Sequence, residues 1–294
     1  MKTELLTGKI AAASLIACAT LLFSCKEEDR LTASDTQEIT EEAVTDSYFL
    51  DMDDMATVAI ASPSENEYSG GRKATTITIT DTRFCPGTVV TIVPDENSTS
   101  LHPKGQLTVD FGMGCNDQRG NLRTGKLRFT YDKWRFQPGS TVVTTTDNYT
   151  INGIKLEGTR TLTNINDESD ESTDPRKFNV LLENGKATFL AEGTTAERES
   201  DITFSLYSPG DVSEDYLSIE PMSEASGTTR GGHRYQVDVF EALIYKRSCG
   251  IAVDGIKKYV LDADKEITID YGSGACDKSV VVTVNGTSHT VTIE

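Results

Sequence analysis

Histidine is scarce in this chain: His102, His233 and His289 are the only three among 294 residues, far apart and without HExxH spacing, which excludes the common helical zinc site. No CxxC occurs, so zinc ribbons and thioredoxin-like redox chemistry are excluded as well. A G-x-S-x-G nucleophile elbow is also missing. Basic residues are in deficit, 28 against 46 acidic ones for a net charge of −18. A body this acidic is repelled by nucleic acid and by anionic headgroups, so no nucleic-acid partner is expected. Beyond residue 24 no apolar run approaches the length needed to cross a bilayer as a helix. No metal site and no cofactor are expected.

What is present begins with an export signal. Lys2 and Lys9 give residues 1–25 a positive start, and residues 10–24 form an apolar run too short to span a membrane. Leu22, Ser24 and Cys25 in LFSC resemble the lipobox of bacterial lipoproteins, whose cysteine is acylated and becomes the new first residue. A rival match ends at Cys18 but leaves only about eight apolar residues ahead of it, near the floor for such a segment. The KEEDR that follows Cys25 resembles the short acidic signal that sends lipoproteins of Bacteroidota to the cell surface. Several acyl chains, such as palmitate, at roughly 0.8 kcal/mol per buried methylene make a firm anchor where one is marginal. Loss of the signal leaves 26 basic and 45 acidic residues.

Residues 26–37 read as a polar tether. Over about 36–61, Val44, Tyr48, Met52, Met55 and Ala59 recur three or four apart, which predicts a helix with Asp35 as its cap and its acids mainly on other faces. Asp51, Asp53 and Asp54 lack the glycine turn and spaced acidic ligand of a calcium loop and are assigned to a solvated helix face. From residue 73 onward the pattern has period two, rich in threonine, valine, isoleucine and tyrosine. Asn-Gly pairs at 152–153, 184–185 and 285–286 each fit a two-residue hairpin turn. The registers predicted are Ile151 opposite Ile154 and Tyr149 opposite Leu156, Leu182 opposite Ala187 and Val180 opposite Phe189, and Val282 opposite His289 and Val280 opposite Val291. Residues 166–175 are expected to be a loop, and 208–232 a longer irregular insertion.

LTVDFGMGC at 107–115 contains the Asp-Phe-Gly of protein kinases, yet the glycine-rich loop, strand lysine and His-Arg-Asp that must accompany it are missing. Nearly the same string returns as ITIDYGSGAC at 267–276. In both, an alternating strand ends in an aspartate, an aromatic, Gly-x-Gly and a cysteine, so the triplet marks a strand end and a turn. GNLRTGKL at 120–127 matches a phosphate loop up to its lysine, but Leu127 stands where Ser or Thr is required. With Cys18 removed and Cys25 acylated, four cysteines remain, and an exported protein oxidises them. The repeat predicts two related modules, 73–165 and 178–294, closed by Cys85 to Cys115 and by Cys249 to Cys276.

The single basic island is 119–136, with Arg119, Arg123, Lys126, Arg128, Lys133 and Arg135 against one acid, and with the sole tryptophan, Trp134. Arg119, Arg123, Lys126, Trp134 and Arg135 are the candidate ligand site: cations beside an aromatic hold an acidic glycan or an anionic partner by hydrogen bonding and cation-π contact. The competing reading makes Trp134 a core residue and pairs the cations with acids on adjacent strands.

TVDFGMGCNDQRGNLRTGKLRFTY, DNYTINGIKLEGTRTLTN and IDYGSGACDKSVVVTVNG together resemble a family of uncharacterised surface lipoproteins from Bacteroidota, over most of residues 75–294. The resemblance implies a compartment and a fold, and no activity. The expectation is an all-β, antiparallel, sandwich-like or meander body with a short N-terminal helix: signal 1–25, tether and helix 26–72, β body 73–294. The protein is expected at the outer membrane, facing outward, bound to the membrane through its lipid. Its expected role is a noncatalytic structural or binding component with a glycan or protein partner. The alternatives are a glycan-processing hydrolase with a carboxylate pair and a subunit of a surface assembly.

Overall fold

The computed structural model describes residues 32–63, 65–68, 71, 73–167, 175–208, 215–246, 249 and 251–293. The expected signal, Cys25 and most of the tether lie outside the described residues, as do 168–174 of the acidic loop and 209–214 of the expected insertion. Among the described residues one α-helix, α1 (Ala33–Ala61), and a short 3-10 helix (Glu65–Tyr68) precede sixteen strands. They are β1 (Thr75–Thr78), β2 (Val89–Pro94), β3 (Gly105–Asp110), β4 (Cys115–Asn116), β5 (Leu122–Tyr131), β6 (Thr141–Ile151), β7 (Ile154–Asn164) and β8 (Arg176–Phe189). The rest are β9 (Thr194–Tyr207), β10 (Tyr216–Ile219), β11 (Glu224–Thr228), β12 (Arg234–Lys246), β13 (Ala252–Leu261), β14 (Lys265–Ser273), β15 (Ser279–Val284) and β16 (Thr287–Thr292).

All sixteen form one antiparallel sheet whose order follows the chain. β4 prolongs the line of β3 against β5, and β10 and β11 lie end to end between β9 and β12, so the sheet has fourteen strand positions. This is the expected all-β meander with its helix. Residues 73–165 and 178–294 are joined by the β7–β8 ladder into one sheet over one core. The expected irregular stretch 208–232 holds two short strands, β10 and β11, separated by a kink at 220–223 where the Ser223 hydroxyl bonds Thr203.

The helix begins three residues earlier than its periodicity predicts. Thr32 is the N-cap, and Asp35 completes a capping box by accepting from the Thr32 backbone at 2.7 Å. A 29-residue helix is about 43 Å long, whereas fourteen strands about 4.8 Å apart span roughly 62 Å. Ion pairs fasten α1 to β5, β7, β9, β13 and β14, so the helix lies across most of the sheet, and Ile79 just after β1 and Val280 and Val282 of β15 belong to the same continuous core as Phe49, Met52 and Met55 of α1.

Bulges interrupt the central ladders. Registers shift at 124/126 in β5, 145/150 in β6, 157/159 in β7 and 182/185 in β8, forming a row across adjacent strands. The Asn184-Gly185 pair belongs to this row and is not the expected hairpin turn: β8 runs unbroken through it, paired on both sides. Asn184 at φ 53° satisfies a bulge as well as a turn. The chain reverses instead at 190–193, where the Gly193 amide donates to Phe189. The other two Asn-Gly hairpins form as predicted, with Ile151 opposite Ile154, Val282 opposite His289 and Val280 opposite Val291. The bulge in β6 intervenes beyond Thr150, so Tyr149 and Leu156 are both buried without standing as a ladder pair.

Both predicted disulfides are present, Cys85–Cys115 and Cys249–Cys276. Leu107, Val109 and Phe111 and their counterparts Ile267, Ile269 and Tyr271 all face the core. Asp110 accepts the Gly112 amide at 2.8 Å and Asp270 the Gly272 amide at 2.8 Å, so both triplets close the same turn. β3 and β14 are nine antiparallel steps apart and run in opposite directions, placing the disulfides at opposite ends of the sheet. Strand order and core face are kept while direction is reversed, a mirror relation no rotation achieves. The likeness therefore resides in strand and turn, and three-strand units built around the two motifs do not superpose.

Candidate functional site

The buried stripe of α1 runs through Asp35, Glu38, Ile39, Glu42, Thr45, Asp46, Phe49, Met52, Asp53, Ala56 and Ile60, at spacings of three and four. Five of these residues are acids. This corrects the expectation that the acids occupy solvated faces: the hydrophobic pattern marked only part of the buried stripe. The strands answer with cations at inward positions. Lys265 meets Asp35 at 2.5 Å, Lys257 meets Glu42 at 2.7 Å, and Arg198 meets Glu42 at 2.6 Å and Asp46 at 2.7 Å. Further along, Arg160 meets Asp53 at 2.7 Å and Arg123 meets Asp51 at 2.6 Å.

The cluster of Glu42, Lys257 and Arg198 holds its charges against burial. Burial pushes the Glu42 carboxyl up, but Lys257 and Arg198 outweigh it and keep the group below its usual range. Burial likewise disfavours the Lys257 ammonium, and Glu42 more than compensates. Gly185 and Gly227 lie directly opposite Arg198 on its two neighbouring strands. Opposed residues share a face, so the two glycines leave this side of the sheet without side chains beside the Arg198 guanidinium.

The residues nominated from sequence do not gather on the surface. Arg123 is fully buried, bonding Asp117 and Tyr149 as well as Asp51. Arg135 is buried, donating to the Asp53 carbonyl at 3.0 Å with its guanidinium 5.1 Å from the Phe178 ring. Lys126 pairs with Asp110 and Arg128 with Asp147 on the adjacent strands. Trp134 is half-buried, its indole N–H donating to the Ser100 carbonyl at 3.0 Å and its ring edge-on to Tyr68. Arg119 stays exposed. Alternation in β5 is as expected, with Leu127, Phe129 and Tyr131 inward.

A cleft of about 390 Å³, open mouth included, lies where the N-terminal half of α1 meets β8, β9 and the 229–233 turn. Glu38, Glu41, Phe49, Phe189, Arg230 and Tyr235 are among its walls. Arg230 ties Glu41 at 2.7 Å and lies 4.3 Å over the Phe189 ring. Glu38 is 7 % exposed and its Oε2 has no hydrogen-bond partner. Burial raises its carboxyl, with the charge of His233 offsetting only part of the effect. Among the described residues no group of three His, Cys, Asp or Glu side chains is arranged to hold a metal ion.

Sequence reasoning passed over this interface because each half of it looks ordinary alone. The signal was a cation at the inward phase of a strand. Arg160 falls in step with Leu156 and Leu162, and Lys257 with Val253, Tyr259 and Leu261. Compared with models of protein families, with curated proteins and with solved structures, the chain matches none.

Proposed function

We propose that this chain is a lipid-anchored protein of the outer membrane, acylated at Cys25 and facing outward, that works as a noncatalytic binding or structural component. The observation that supports this reading is the charge-locked seat of α1. Its N-cap, Thr32, is the seventh residue after Cys25, so the tether reaches at most about 25 Å. With α1 fastened to the sheet by buried ion pairs, the body is carried close to the bilayer in a restricted set of orientations. That suits display of a scaffold better than capture at long range. The acids Asp35, Glu42, Asp46 and Asp53 are engaged in these pairs, which supports a structural use for much of the acidic helix.

The test is metabolic labelling with an alkyne fatty acid, followed by protease treatment of intact cells, for the wild type and for Cys25→Ala and Cys18→Ala. Label and membrane retention lost only in Cys25→Ala, together with proteolysis on intact cells, is the expected result. Label retained in Cys25→Ala removes the anchor, and cleavage of a glycan by the purified protein replaces the noncatalytic role with the hydrolase. A second reading, a subunit of a surface assembly, is favoured by the open edge at β16, where no residue is buried.

A further inference from the structure

We propose that β16 is a self-association edge: it pairs antiparallel with β16 of a second copy of this chain, about a two-fold axis at Thr290, and joins the two sheets into one. This rests on the surface-assembly reading above and names its partner; it does not depend on acylation.

The edge follows from the phase of the last hairpin. Asn285 and Gly286, at φ 46° and 84°, form a two-residue turn that makes Val284 and Thr287 a hydrogen-bonded pair. His289 with Val282 and Val291 with Val280 are the next such pairs, and the Ile293 amide keeps the phase by donating to the Lys278 carbonyl at 3.0 Å. Ser288, Thr290 and Thr292 therefore turn their N–H and C=O groups away from β15. Among the described residues no strand takes these groups up, and all three residues are exposed.

Charge and symmetry select the occupant. Residues 279–293 contain no Asp, Glu, Lys or Arg, the longest such stretch after the expected signal. With a net charge of −18 on each chain, two copies meet here with the least repulsion. Edge strands are ordinarily blunted by charge, proline or a bulge, and β16 has none of these. Pairing about Thr290 sets it opposite Thr290 of the second copy and Ser288 opposite Thr292, with about six main-chain hydrogen bonds between the edges. These are hydroxyl pairs, which are favourable across strands. The opposite edge, β1, is only four residues long and follows Lys73. A β16-to-β1 contact would also run head to tail and leave an edge open at each end, whereas the two-fold pairing closes.

The experiment is disulfide trapping in cells that co-express two tagged forms of the full-length chain, of different mass, each carrying Thr290→Cys. Residues opposed in a hydrogen-bonded pair have Cα atoms about 5.5 Å apart, within disulfide reach. A mixed dimer joined from 290 to 290, identified on nonreducing gels and by peptide mapping, is expected. Ser288→Cys, whose two copies stand about four residues out of register, should trap at least tenfold less. Thr290→Pro removes an outward N–H and spares the β15 ladder, so it should lower the association constant at least tenfold in sedimentation of the purified full-length protein in detergent. Urea melts check its fold. Were it unfolded, Thr290→Lys, which sets like charges face to face, takes its place with the same required loss. A monomeric wild type, equal trapping at 288 and 290, or an undiminished dimer in the variant overturns the pairing. Trapping at 290 to a different protein overturns the second copy as occupant and leaves the assembly reading standing, whereas no trapped species at all removes both.

Discussion

Arg160 on β7 and Asp53 on α1, 107 residues apart in sequence, meet at 2.7 Å with their side chains 2 % and 7 % exposed. Removing one partner of such a pair strands the other in a poorly solvated place, at a cost of about 3–5 kcal/mol. Arg160→Met is therefore expected to lower the thermal midpoint by roughly 6–20 °C. Adding Asp53→Leu should recover most of that loss, since a well-packed apolar pair is often as stable as a buried ionic one. Thermal and urea melts of the two variants check this; a single substitution costing under about 1 kcal/mol would mean that water reaches the pair.

The two kinds of Asn-Gly respond differently to lengthening. A two-residue glycine insertion between Asn152 and Gly153 enlarges a hairpin tip and should cost little, because loop-closure entropy grows slowly. The same insertion between Asn184 and Gly185 falls inside a strand paired on both sides. It should abolish cooperative unfolding or cut stability severely. Equal tolerance at both sites in denaturant titrations would show that the chain turns at 184–185 after all.

Each disulfide closes its own loop, so peptide mapping without reductant should recover Cys85 with Cys115 and Cys249 with Cys276 and no crossed pairs. Replacing either pair by serines should cost about 3–4 kcal/mol in the chain-entropy account. Guanidinium midpoints of the two double variants measure it.

Stability should change with pH at both ends of the range, with opposite signs. The hydrogen bond from the Arg83 side chain, against a smaller cost of burial, holds Asp81 at about 2. A depressed carboxyl stabilises above its ordinary value of 3.8 and loses that contribution as the pH falls through about 2. His233 is raised by its hydrogen bond with Asp262, so its contribution is present below 6.5 and is lost as the pH rises through the raised value. Urea midpoints should therefore be flatter between 3.8 and about 2 for Asp81→Asn, and flatter above 6.5 for His233→Gln, than for the wild type.

Much of this architecture is written locally. Period-two alternation places Leu107, Val109, Leu127 and Phe129 on the core face, and two of the three Asn-Gly pairs set hairpin registers, throughout at 285–286 and for the two rungs nearest the turn at 152–153. The repeated Asp-aromatic-Gly string identifies the disulfide partners because each cysteine follows the same turn. The candidate site was less legible. The basic island drew attention through its charge, yet Arg123 and Arg135 spend that charge inside the protein, and Glu38 carries no local mark at all.

Sequence by itself determined the strands, most of their turns, the bridge partners and the existence of an N-terminal helix, because these depend on neighbours within a few residues or on a cysteine's immediate context. Tertiary structure alone decided which face of that helix is inside. Once the sheet packs against it, acids at helical spacing stand opposite cations at strand spacing, and two periodicities that look like solvated surface when separate become a buried ionic seam when they meet.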